Sequence, residues 1–186
     1  MLKPRIFKRR QDVPRGAEIV EIFQQTLKEL FVIQHPSLKN AYSEKDAVFQ
    51  NFVRRYKDAD AWIYYPWSKK AVHTLSENLY FSVRTARNRN IITAQEQLRY
   101  RNMAVGIAGL SVGSAILSAL VMSGGPKRLK IADFDVVEIS NLNRIRAKLA
   151  EVGTSKAEVA ARNTWDVDPF ALISLYAAGL NKDNIT

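Results

Sequence analysis

The chain has 186 residues and a mass of 21.1 kDa, with 47% hydrophobic and 25% charged residues, the composition of an ordered protein large enough to bury a core. It contains no apolar run long enough to span a bilayer, no apolar signal core after its basic start MLKPRIFKRR, and no cysteine, which excludes a spanning helix, a secretory signal, disulfides, cysteine-ligated metals and thioester chemistry on this chain. The formal charge of +10 sits in the first half: 19 Lys+Arg against 10 Asp+Glu in residues 1–102, but 9 against 8 in residues 103–186.

This split suggests a basic accessory segment joined to a near-neutral core; the accessory region is expected over residues 1–83 and the following domain over residues 84–186. The expected compartment is the cytoplasm, with no membrane partner. A basic face can bind nucleic acid, an acidic protein or nucleotide phosphates, or simply be solvated. No interleaved aromatic pattern or RNA-binding signature favours nucleic acid.

Residues 18–33 place Ile19, Ile22, Phe23, Leu27, Leu30 and Phe31 at helical spacing, which predicts one helix with a single buried stripe. His35-Pro36 stops it, because proline disfavours helix at the residue before it. A second amphipathic helix is predicted over 44–56, strands over 61–65 and 71–75, and a further helix over 77–87. Thr93 and Glu96 form a capping box that opens a helix at Ala94, ending near Arg101. Next come a buried strand 104–108 (AVGIA), a turn 109–114 and an apolar helix 115–123, the helix ended by Gly124-Gly125-Pro126. A second strand, 129–132, is closed by Asp133. Ser155 and Glu158 read as another capping box, opening a helix that runs to about Trp165 and stops at Asp168-Pro169. A third strand covers 172–176. Strand and helix in alternation predict an α/β fold: the front half of a Rossmann-like doubly wound parallel sheet, preceded by a basic α+β extension.

The turn at Gly109 lies where a strand meets a helix N-terminus. Exposed N–H groups and the helix dipole favour an anion there, and glycine allows close approach. Three chemistries could use it. Gly109-Leu110-Ser111-Val112-Gly113 matches a nucleophile elbow, but that fold needs an acid and a histidine later in the chain, and His35 and His73 both lie upstream. A dinucleotide fold would read Gly109-x-Ser111-x-x-Ser114, two glycines short, with Asp133 placed to accept from a ribose. The third rests on the residues after the second strand: Asp133-Phe134-Asp135, then VVEISNLNR ending at Arg144, then Gly153-Thr154-Ser155-Lys156.

The string DFDVVEISNLNR, with a glycine turn upstream and a lysine opening the next helix, resembles the ThiF/MoeB-like superfamily, which includes the ubiquitin-activating enzymes. The resemblance covers residues 84–186. It implies a homodimeric adenylyltransferase that uses ATP and Mg2+ to adenylate the C-terminal glycine of a ubiquitin-like or sulfur-carrier protein. Gly109 and Gly113 would lie against the nucleotide, Asp133 would hold the ribose, Ser140 would line the site, and Asn141, Arg144 and Lys156 would meet the phosphates. Lys156 places a cation at a helix N-terminus, where the dipole disfavours it; an anionic ligand would explain that placement. In Arg87-Asn88-Arg89-Asn90-Ile91 the family implies an arginine that reaches the phosphates of the neighbouring subunit, assigned to Arg89 with Arg87 as the other register. Arg89, Arg144 and Lys156 form the implied catalytic set.

The glycine turn is one residue shorter than the usual G-x-G-G-x-G. The implied magnesium-binding aspartate follows a later strand, so no metal ligand is assigned and Asp183 is not promoted. The expectation is the front of a longer protein, binding without turnover. A subset with a GLSVG turn carries such an N-terminal extension, some with a redox-like domain downstream. The rival readings are a dinucleotide-binding (NAD or flavin) or regulatory domain of a redox protein, and an interaction module acting through its basic first half.

Overall fold

The computed structural model describes residues 3–182, so Asp183 lies outside the described residues. The chain divides into two compact units between Arg87 and Asn88.

The first unit is built on a sheet of order β1-β3-β4-β2, from β1 (Arg5–Phe7), β2 (Glu18–Glu21), β3 (Asp60–Tyr65) and β4 (Lys70–Leu75). β3 pairs antiparallel with β1 and β4, and β2 runs parallel to β4. Three helices, α1 (Phe23–Gln34), α2 (Ala47–Arg55) and α3 (Glu77–Arg84), complete it. Leu27, Leu30 and Phe31 of α1 are fully buried with Phe49, Phe52 and Leu75. Phe31 meets Phe49 and Phe52 edge-on at 5.1 and 5.2 Å, a geometry worth about 0.5–1.5 kcal/mol per pair beyond the area buried.

The helix expected over 18–33 begins only at Phe23. Residues 18–21 are instead β2, in register with Lys70–His73, and Ile19 is left exposed. A backbone ladder with β4 outweighs a helical spacing of four residues. The Phe23 N–H then donates to Glu21 Oε1 at 3.2 Å, giving the first turn of α1 an acceptor. The helices expected over 44–56 and 77–87 are the shorter α2 and α3.

The second unit runs α4 (Ala94–Asn102), β5 (Ala104–Ala108), α5 (Leu110–Met122), β6 (Arg128–Ala132), α6 (Lys156–Val167) and β7 (Leu172–Tyr176). Its strands are parallel in the order β5-β6-β7, with Ile107, Ile131 and Leu175 in register. Leu110, Leu117 and Val121 of α5, Leu129 and Ile131 of β6, and Ala157 and Ala160 of α6 form its core. This is the Rossmann-like α/β arrangement expected from the alternating pattern. The Thr93–Glu96 box forms, with the Glu96 N–H donating to Thr93 Oγ1 and the Thr93 N–H to Glu96 Oε2.

Two local expectations are corrected. Residues 110–114 are not a turn: α5 starts directly after Gly109, because the Asp133 carboxylate accepts the Leu110 N–H at 2.6 Å and caps the helix from the neighbouring strand. Ser155 makes no side-chain cap on α6. Glu158 pairs with Arg162 one turn on at 2.7 Å, and Ser155 Oγ is buried with no hydrogen-bond partner among the described residues. The first N–H of α6, that of Lys156, donates instead to the Asp135 carbonyl at 3.0 Å. Among the described residues, no helix is long and apolar enough to cross a membrane.

Candidate functional site

β5 and β6 end side by side. After β5, Gly109 turns with φ 84° and ψ 114°, a backbone that glycine adopts without strain and other residues rarely do. Its N–H donates to the Ala132 carbonyl at 2.9 Å. A Cβ there would meet nothing within 4 Å, so the space over the turn is open. After β6 comes Asp133, which is 7% exposed. Its Oδ2 accepts from Leu110 N–H, and its Oδ1 accepts the Asp135 N–H at 2.8 Å. A carboxylate offers about four acceptor positions, so this group has capacity left for a further donor.

Lys156, the first residue of α6, is 6% exposed. Its Nζ donates to Asp135 Oδ2 at 2.7 Å and to Ser111 Oγ at 3.4 Å. The bonds close a ring: the start of α5 to Asp133, Asp133 to Asp135, Asp135 to Lys156, and Lys156 back to α5 through Ser111. The charge that offsets this cation inside the chain is therefore Asp135, which is about half exposed. The first-turn N–H groups of Ser111 and Val112 have no acceptor in their own helix. A cation and two N–H donors thus lie beside an open turn, an arrangement suited to an anion.

The remaining residues expected at the site fall into three places. Asn141 is buried at 4% exposure, and its Oδ1 accepts the Glu138 N–H at 3.1 Å, holding the helical turn Ile139–Asn141. Ser140 Oγ donates to Glu138 Oε2 at 3.3 Å, and the exposed Arg144 donates to the Ser140 carbonyl and to Asn143 Oδ1 at 3.1 and 2.9 Å. Backbone bonds from Val137 to Thr154 and from Gly153 to Val137 fasten this string beside the start of α6. Gly113 is buried on the face of α5 that meets Ile107 of β5. Arg89 is exposed in the turn Ala86–Asn90, outside the ring. The ring thus joins Asp133 and Lys156 next to Gly109, and it adds two residues not expected in these roles, Asp135 and Ser111. The legible signals were the Asp133-Phe134-Asp135 spacing for Asp135 and the glycine turn over 109–113 for Ser111. Among the described residues, no three His, Cys, Asp or Glu side chains assemble to hold a metal.

Residues 85–186 match the ThiF family. The chain is 39% identical over 129 residues to the uncharacterized protein MT1398 of Mycobacterium tuberculosis (strain CDC 1551 / Oshkosh), covering 69% of this chain and 18% of that protein. It is 31% identical over 103 residues to ubiquitin-like modifier-activating enzyme 5 of Bombyx mori, covering 55% of this chain and 25% of the enzyme. Among solved structures, tRNA N6-threonylcarbamoyladenosine dehydratase (TcdA) of E. coli shares the fold, with a TM-score of 0.52 and 24% identity over 55% of this chain and 44% of that one. The chain thus spans a quarter or less of the length of these two sequence relatives.

Proposed function

Because the chain belongs to the ThiF family, we propose that residues 84–186 are the nucleotide-binding part of an adenylyltransferase-type domain that activates the C-terminal glycine of a ubiquitin-like or sulfur-carrier protein with ATP. The observation that carries this reading is the ring of Asp133, Asp135, Lys156 and the start of α5 at the carboxyl ends of β5 and β6. Doubly wound sheets take nucleotides in that crevice.

In such a reaction a carboxylate oxygen attacks the α-phosphorus, the bond from that phosphorus to the bridging oxygen breaks, and pyrophosphate leaves. Both reactants are anions, so the site must provide cations and aligned N–H donors. Asp133 has acceptor capacity for ribose hydroxyls, and Gly109 leaves room above the turn. Lys156 and the N–H groups of Ser111 and Val112 would meet the phosphates. Arg144 adds a guanidinium whose donors match phosphate oxygens in a fork, on a loop shaped by Ser140 and Asn141. Gly113 keeps α5 seated beneath them. Arg89 is assigned to the phosphates of a partner subunit in a homodimer. Among the described residues no three His, Cys, Asp or Glu side chains gather into a metal site, so any magnesium here would be held mainly by the nucleotide phosphates and water. Nucleotide binding without turnover is the activity expected of these 186 residues.

Asp133 at the end of the second parallel strand would equally suit the ribose of a dinucleotide, which makes a redox domain the rival. Thermal unfolding with ATP·Mg, NAD and flavin, repeated on Asp133→Ala and Lys156→Ala, separates the two. A ligand at 100 times its Kd stabilises by about 2.7 kcal/mol. A shift with ATP alone, lost in both variants, supports the proposal. A shift with NAD or flavin alone turns the reading to a redox domain, and no shift with any of them counts against nucleotide binding by this chain.

A further inference from the structure

Lys156 is held in a place where a lone ammonium would not stay. It is 6% exposed, it opens α6, and its Nζ reaches Ser111 in the first turn of α5. The positive ends of two helices therefore face it, and burial removes most of its water. The carboxylate of Asp135, 2.7 Å away, is the negative charge bonded to it. The same residue grips both neighbours through its backbone: its N–H donates to Asp133 Oδ1 at 2.8 Å, and its carbonyl accepts the Lys156 N–H at 3.0 Å.

We infer that Asp135 is a positioning residue, whose carboxylate holds the Lys156 ammonium against the start of α5 so that an arriving triphosphate or pyrophosphate meets a cation already in place. This rests on the nucleotide reading above. The alternative role for the same carboxylate is competition, in which Asp135 occupies the cation and an anion must displace it. The two roles differ in sign. A positioning carboxylate aids anion binding, and a competing one opposes it. Geometry favours positioning: Lys156 has three ammonium donors, Asp135 and Ser111 take two, and one donor is left for a phosphate oxygen without breaking the pair.

Asp135→Asn tests this cleanly, because the two main-chain bonds of residue 135 survive the substitution and only the charge is lost. The first readout needs no nucleotide. A slowly exchanging lysine ammonium resonance, assigned to Lys156 by its loss in Lys156→Ala, is expected in wild type, absent in Asp135→Asn and recovered in Asp135→Glu. The second is calorimetric titration with ATP and with pyrophosphate. Asp135→Asn is expected to weaken both by about tenfold, the scale of one lost charge-assisted contact, and to have no further effect in a Lys156→Ala background. Persistence of the ammonium resonance in Asp135→Asn overturns the inference. So does unchanged or tighter binding, the latter marking competition, or a loss that persists without Lys156. If wild type binds neither probe while the resonance behaves as expected, the nucleotide reading is what fails, and the role of Asp135 in binding falls with it.

Discussion

The Cβ that Gly113 lacks would lie 2.7 Å from Cγ2 of Ile107, so α5 seats on β5 at a separation a larger residue does not allow. The obstructing atom is the branch methyl of a strand residue and not the end of a flexible side chain, so it cannot swing away. Gly113→Ala gains about 1 kcal/mol in helix propensity but overpacks a close contact, at about 1–3 kcal/mol. A net loss of about 1 kcal/mol is expected, read as a lower urea midpoint with an unchanged slope. A rise in stability would show that α5 can lift from the sheet.

Gly109 makes a contrasting case, since a methyl group there meets open space. The cost of Gly109→Ala is in the backbone, held at φ 84°, and should be about 1–3 kcal/mol. The new methyl would also point into the space assigned to the nucleotide. Stability and ATP affinity should both fall in this variant, whereas in Gly113→Ala the stability effect should dominate. Chemical denaturation and calorimetry on the two proteins side by side check the difference.

Arg101 of α4 and Asp168, which precedes β7, form an ion pair at 3.3 Å with side chains 8% and 5% exposed. Truncating one partner of a buried ion pair typically costs about 3–5 kcal/mol. Asp168→Ala should therefore unfold the second unit far more readily than any single surface change. A loss under 1 kcal/mol in urea denaturation would show that Arg101 is satisfied without Asp168.

In the first unit, His73 lies face to face with Trp62, centroids 4.1 Å apart and planes 6° from parallel, with Phe23 also stacked on it at 4.8 Å. One ring nitrogen is 2.8 Å from the Glu21 carboxylate and the other 2.8 Å from Asp60. This histidine joins β2, β3 and β4 across the sheet. His73→Leu keeps apolar bulk but leaves Asp60, 21% exposed, without this bond, so a loss of about 1–3 kcal/mol is expected. Tryptophan fluorescence during unfolding tracks the change, because Trp62 loses its stacking partner.

Glu96 provides a pH dependence with a definite sign. The Thr93 backbone N–H, and after it the Thr93 hydroxyl, hold its carboxyl below the ordinary carboxylate range. The folded value is below the unfolded one, so the stabilisation is present above the unfolded pKa and is lost as pH falls through the folded value. Amide exchange at the start of α4 should speed up on acidification below about pH 4.5 in wild type, and Glu96→Gln should flatten that dependence. An identical profile in the variant would assign the acid sensitivity elsewhere.

What could be read from the sequence was local, or repeated along the chain. The capping box of Thr93 and Glu96 lies within four residues, and α4 starts where it predicts. The strands β5 and β7 match the expected 104–108 and 172–176, because short apolar runs bounded by turns have little competition. The same box pattern at Ser155 and Glu158 failed, since Arg162 claims the glutamate and the buried serine hydroxyl, though at the N-cap, makes no cap bond. Residues 18–21 misled in the opposite direction: their helical spacing is local, but their partner β4 lies about fifty residues further on, and only the fold brings it alongside.

The candidate site divides in the same way. Asp133, Lys156 and the glycine turn were legible because each stands at the junction of a strand or helix, where residue type and chain position together suggest a role. That Asp133 caps α5, that Lys156 is buried against a second helix, and that Asp135 supplies its counter-charge were decided only when three chain segments met at the ends of β5 and β6. Residue type determines which charges are available. Their placement within hydrogen-bonding distance of one another, with most water removed, is settled by tertiary packing, and that proximity gives each charge its energetic weight.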